Sequence, residues 1–68
     1  MQQGQLSPRE GEVAALIARG KTTAEIALSL GLSASTVKHY LEAAMRKAGV
    51  TTRVSLAMWW RDHEAGAG

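Results

Sequence analysis

Three times in this chain a hydroxyl residue, a short amphipathic run and a glycine follow one another, and this punctuation limits the fold more than any other feature. Ser7-Pro8-Arg9-Glu10 places a proline at the first helical position and a glutamate three residues after a capping serine. In such a capping box the hydroxyl accepts from the third amide of the helix, and the carboxylate accepts from the amide of the cap. Val13, Leu16 and Ile17 follow at helical spacing, and Gly20 supplies a left-handed stop. Thr22-Thr23-Ala24-Glu25 repeats the box and opens a short helix with Ile26, Ala27 and Leu30 inward and Gly31 at its end. Leu32 then plugs the core, and Ser33 caps a third helix that Gly49 terminates. Val50, Thr51 and Thr52 lead into a fourth, from Arg53 to about Glu64, with no proline or glycine inside. Nothing alternates with period two, so the expected fold is all-α. Its helices fall at about 8–19, 23–30, 34–48 and 52–64, in one domain over 6–64 between irregular tails at 1–5 and 65–68.

A chain of 68 residues buries only about 60% of its unfolded surface, which leaves no room for a deep catalytic cleft. With no cysteine, and with its two histidines (His39 and His63) far apart, the chain offers no metal-ligand spacing. No nucleophile, base and orienting group converge, so we expect no catalytic residue, no metal and no cofactor. No apolar run reaches the roughly 18 residues of a membrane span, and the start MQQGQ lacks the features of a leader. A soluble, cytoplasmic protein is the expectation.

Between the second and third helices lies a glycine-containing turn of about three residues, the spacing of a helix-turn-helix. In the third helix Val37, Leu41, Ala44 and Ala48 form a narrow core stripe. Opposite them, at about 100° per residue, Ser35, Lys38, His39, Glu42 and Arg46 form one outward ridge of hydrogen-bonding side chains. Such a ridge suits the major groove of B-DNA, where each base pair presents its own donor and acceptor pattern. Every amphipathic helix has a polar face, so on spacing alone a merely solvated ridge is the alternative. Charge favours the groove: Lys38, Arg46, Lys47 and Arg53 face only Glu42 between Ser33 and Arg53, although the net charge of the chain is just +2.

Leu6-Ser-Pro-Arg-Glu10, Glu12-Val13, Ala24-Glu-Ile-Ala27, Leu30-Gly-Leu-Ser33, Ser35-Thr-Val-Lys38, Arg46-Lys47 and Gly49-Val50 resemble, in order and spacing, the LuxR-type (GerE-like) DNA-binding domain. The resemblance spans about residues 6 to 60. It implies a four-helix domain whose second and third helices form the helix-turn-helix and whose fourth mediates dimerisation on a two-fold DNA site. Carried over by position, it implies base contacts at Lys38, His39 and Glu42. Backbone phosphate contacts fall on Ser35 and Thr36, on Thr22 and Thr23, and around Lys47 and Arg53; Arg46 points to the backbone as well. A contact with RNA polymerase is a further implication, as is a receiver or ligand-binding domain upstream.

The chain also departs from the family pattern. Tyr40 stands where a histidine is usual, and its own histidine is one position earlier, on the ridge. Glu42 is acidic where polar or basic residues are common; it can accept from a cytosine amine or pair with Arg46 four residues on. Ala44 and Ala48 replace larger aliphatics, so Trp59 or Trp60 is expected to fill the lost volume. Glu25 is assigned to its capping box. The fourth helix is apolar on two sides, with Val54, Ala57 and Met58 opposite Leu56, Trp59 and Trp60. We expect the tryptophan side to face the core and Val54, Ala57 and Met58 to form a homodimer interface. Two other readings compete: the promoter-binding fourth region of a sigma factor, which shares several blocks, and a helical protein-interaction module built on Trp59 and Trp60.

Overall fold

In the computed structural model the backbone is described for residues 5–67 and the side chains for 5–63. The chain forms α1 (Pro8–Ala18), α2 (Thr23–Leu30), α3 (Ala34–Ala48) and α4 (Arg53–Ala67), with no strand among the described residues. Three starts match expectation to the residue. Arg19 is the C-cap of α1 rather than its last residue, and α4 continues three residues beyond the expected 64. The other expected irregular ends, 1–4 and 68, lie outside the described residues.

Each boundary is made by the groups that mark it in the sequence. Glu10 N–H donates to Ser7 Oγ (3.3 Å) and Ser7 N–H to Glu10 Oε1 (2.9 Å). The same reciprocal pair joins Thr22 and Glu25 at 3.1 and 2.8 Å. Ser33 caps α3 by accepting from Thr36 N–H at 3.1 Å, and Thr52 begins α4 by accepting from Ser55 N–H at 3.0 Å. The three interior glycine stops share one closure. Lys21, Leu32 and Val50 each donate backward five residues, to the carbonyls of Leu16, Ala27 and Met45. This bond requires a left-handed residue just before the donor, which Gly31 (φ 69°) and Gly49 (φ 75°) provide without a side-chain clash.

Val13, Ala14 and Ile17 of α1, Ile26 and Ala27 of α2, Val37, Leu41 and Ala44 of α3, and Leu56 of α4 make one core. α1 packs most extensively on α4 and α3, while α2 rests mainly on α3. The domain measures 31 × 20 × 20 Å. Leu16, Leu30, Leu32, Ala48 and Val50 border the core half-buried. Leu28, on the outward side of α2, is 86% exposed; single apolar surface residues of this kind are ordinary.

Both tryptophans are half-buried against the core, on the side of α4 that the sequence assigns to it. Part of the space for them comes from a glycine in α1. A Cβ on Gly11 of α1 would stand 3.5 Å from Cη2 of Trp60, so the indole lies across the bare backbone of that helix. Ala43 is also buried, although it lies off the predicted stripe. The inward arc of α3 is therefore wider than Val37, Leu41, Ala44 and Ala48 alone, and it includes Ala43 and the half-buried Tyr40.

Candidate nucleic-acid interface

The helix-turn-helix unit is α2, the turn Gly31–Leu32–Ser33, and α3. Gly31 reverses the chain, and Leu32 is half-buried against the core while donating to Ala27, which fixes the turn at both its backbone and its side chain. α3 is thereby held with one face on α1 and α2 and the other in solvent.

Lys38, His39, Glu42, Arg46 and Ser35 are all exposed on that outer face, as the periodicity requires. Glu42 and Arg46 do not pair. The ion pairs among the described residues are Arg9–Glu12, within α1, and Lys47–Glu10, between α3 and α1. Lys38, His39, Glu42 and Arg46 thus stand on one surface with no hydrogen bond to another described side chain; His39 meets Tyr40 edge-on, with ring centroids 6.3 Å apart. Two cations flank one carboxylate, an arrangement able to donate to guanine or phosphate and to accept from a cytosine amine.

At the start of α3 the hydroxyls form a cluster. Ser33 Oγ donates to Thr36 Oγ1 (2.9 Å) and lies 3.2 Å from Ser35 Oγ. Ser35 is exposed and Thr36 half-buried, so the first turn presents hydroxyl and amide donors together, the chemistry that accepts a phosphate at a helix N-terminus. Thr22 serves as a cap and is exposed, at the start of α2.

Two cations that the resemblance places near phosphates have partners inside the domain. Lys47 Nζ donates to Glu10 Oε1 at 2.8 Å, joining the last turn of α3 to the first turn of α1. Arg53 reaches back from α4, where Nη2 donates to the carbonyl of Lys21 (2.7 Å) and Nη1 to Thr23 Oγ1 (3.1 Å). The hydroxyl of Thr23 is thus engaged as well. The bond to Lys47, with those from Ser7, holds the carboxyl of Glu10 below its ordinary value against the opposing effect of burial. The capping pattern in the sequence accounts for only one of the two roles of Glu10. One signal for its second role is present in the sequence: Lys47 shares an angular position with Tyr40 and Ala43, seven and four residues earlier, and so lies off the outer ridge of the helix.

On α4, Val54 and Met58 are 68% and 59% exposed, and Ala57 is half-buried. They line an open groove with Ile17, Gly20, Lys21, Thr22, Thr23, Arg53 and Arg61. Trp59 stacks on His63 with ring centroids 4.0 Å apart, and Nδ1 of that histidine lies 2.9 Å from the carbonyl of Trp59.

A four-helix domain with a glycine-turned helix pair and a polar, cation-flanked outer face on the second of that pair is a helix-turn-helix domain of the kind carried by bacterial regulators. The sequence profile described as GerE, bacterial regulatory proteins, luxR family, matches residues 4–60, and the chain belongs to that family. Over 48 residues the chain is 50% identical to the HTH-type transcriptional activator RamA of Corynebacterium glutamicum, covering 71% of this chain and 17% of that protein. It is 46% identical over 48 residues to the spore germination protein GerE of Bacillus subtilis, covering 71% of this chain and 65% of GerE. Over 55 residues it is 38% identical to the nitrate/nitrite response regulator protein NarL of Escherichia coli K12, covering 81% of this chain and 26% of NarL. The chain therefore spans only a part of the curated relatives it matches. No solved structure matches it. Among the described residues no helix is long and apolar enough to cross a membrane.

Proposed function

We propose that this chain binds double-stranded DNA sequence-specifically, as the recognition domain of a cytoplasmic transcription regulator. The observation that carries the reading is the outer face of α3, where Lys38, His39, Glu42 and Arg46 are exposed together while the opposite face is locked into the core. In this reading α3 enters the major groove, and Lys38, His39 and Glu42 meet base edges. Ser35, Thr36 and Arg46 meet phosphates, and the start of α2 at Thr22 and Thr23 adds backbone contacts. The regulator relatives support the same role for this domain.

A two-fold dimer through Val54, Ala57 and Met58 would set two half-sites about one helical turn apart. The exposure of Val54 and Met58 supports it. The alternative module built on Trp59 and Trp60 is less well served, because both rings are packed against the core. A contact with RNA polymerase belongs to the same proposal.

Duplex DNA carrying a site selected from a random pool, titrated at two salt concentrations, tests the reading. Binding should weaken with salt, and Lys38→Ala should cost about 1 to 3 kcal/mol. Binding that ignores salt, or an unaffected Lys38→Ala variant, would contradict it.

A further inference from the structure

We propose that Lys47 and Arg53 are positioning residues that set how the helix-turn-helix unit is held, and that neither serves as a phosphate contact. The inference rests on the DNA-binding reading and divides its cations into two pairs. Lys38 and Arg46 are exposed on the outer ridge. Lys47 lies about 125° around α3 from the middle of that ridge at 100° per residue, which turns it toward α1. There its ammonium meets Glu10 at 2.8 Å, and Glu10 is 7% exposed. The Ser7 N–H already donates to the same Oε1 at 2.9 Å, so the carboxylate offers Lys47 a positioned acceptor.

Arg53 does the corresponding work for α2. Its planar fork spans two acceptors of different kinds, the carbonyl of Lys21 in the α1–α2 loop and the hydroxyl of Thr23 in the first turn of α2. A lysine has the same charge but lacks the fork needed to hold both. The two cations therefore tie the C-terminal end of α3 to α1 and the N-terminal end of α2 to α4. Both ends of the recognition unit are anchored to helices that never enter the groove. Charge used in this way releases no counterions from DNA.

The test compares DNA affinity of the 68-residue chain and its variants across salt concentrations, on the selected duplex, with folding followed by circular dichroism. Arg46→Gln should lower the slope of log K against log salt by about 0.9. Lys47→Gln and Arg53→Gln should leave the slope unchanged while weakening binding by roughly three- to tenfold at every salt, the scale of one net hydrogen bond. Arg53→Lys should behave like Arg53→Gln. Glu10→Gln gives the sharpest contrast, since glutamine still serves a capping box. Removing an acid would strengthen binding if Lys47 gripped a phosphate, whereas positioning requires that binding weaken. A slope lowered by about 0.9 for Lys47→Gln or Arg53→Gln, recovery in Arg53→Lys, or tighter binding by Glu10→Gln would overturn the proposal. Absence of binding to any duplex by the unaltered chain would instead sink the DNA-binding reading itself.

Discussion

Gly11 lies beneath a neighbour 49 positions away in the chain, Trp60. It sits inside α1, where glycine costs about 1 kcal/mol relative to alanine through the freedom it loses on folding. Trp60 lies over it, yet a Cβ would be 3.5 Å from the nearest indole carbon, an ordinary contact. Gly11→Ala should therefore stabilise the domain by about 0.5 to 1 kcal/mol in a denaturant titration. A loss of stability would mean that the indole approaches the helix more closely than this geometry allows. Lys47 makes the complementary point. Its charge suggests a DNA contact, but its angular position and its partner Glu10 place it in the frame of the protein. A sequence pattern reports a charge; only the fold reports what has already satisfied it.

The helices begin and end through interactions spanning at most five residues, and for that reason they are legible in the sequence. Ser7, Thr22 and Ser33 act as caps, and Gly20, Gly31 and Gly49 take the left-handed positions that their places in the chain suggest. The remote bonds are not legible in the same way: Lys47 to Glu10 spans 37 residues, and Arg53 to Thr23 spans 30. No local periodicity encodes such pairs. The outer face of α3 could be read because it is the complement of a core stripe, but the widening of that stripe to Ala43 depends on tertiary packing that helical spacing does not encode. The caps also set an acid limit. Glu10 is held below its ordinary value chiefly by the Lys47 bond, and Glu25 chiefly by the amide of Thr22. A carboxylate with a lowered value in the folded chain contributes stability that is complete above the unfolded value and lost as pH falls through the folded one. Melting temperature should thus hold from neutral pH to about 4.5 and drop below it, less steeply in Glu10→Gln. An equal drop in that variant would remove Glu10 from the account.

At the scale of the whole molecule, the exposed faces of α3 and α4 differ in chemistry. The α3 face is polar and cation-flanked, while the α4 face leaves Val54 and Met58 in solvent beside Lys21 and Arg61. Because both apolar side chains are exposed, Val54→Ser combined with Met58→Ser should change folding stability by only about 0.5 kcal/mol each. On a two-fold DNA site the same variant should bind with one-to-one stoichiometry per half-site and without cooperativity, read by sedimentation of the complex. Undiminished cooperativity would move the dimer contact off α4. DNA reading is proposed for the outer face of α3. Amide NMR shifts of the labelled chain, recorded as the selected duplex is added, test it most directly. The largest changes are expected over Ser33–Arg46 and at Thr22–Glu25. Perturbations confined to residues 54–60, with none over 35–46, would contradict it.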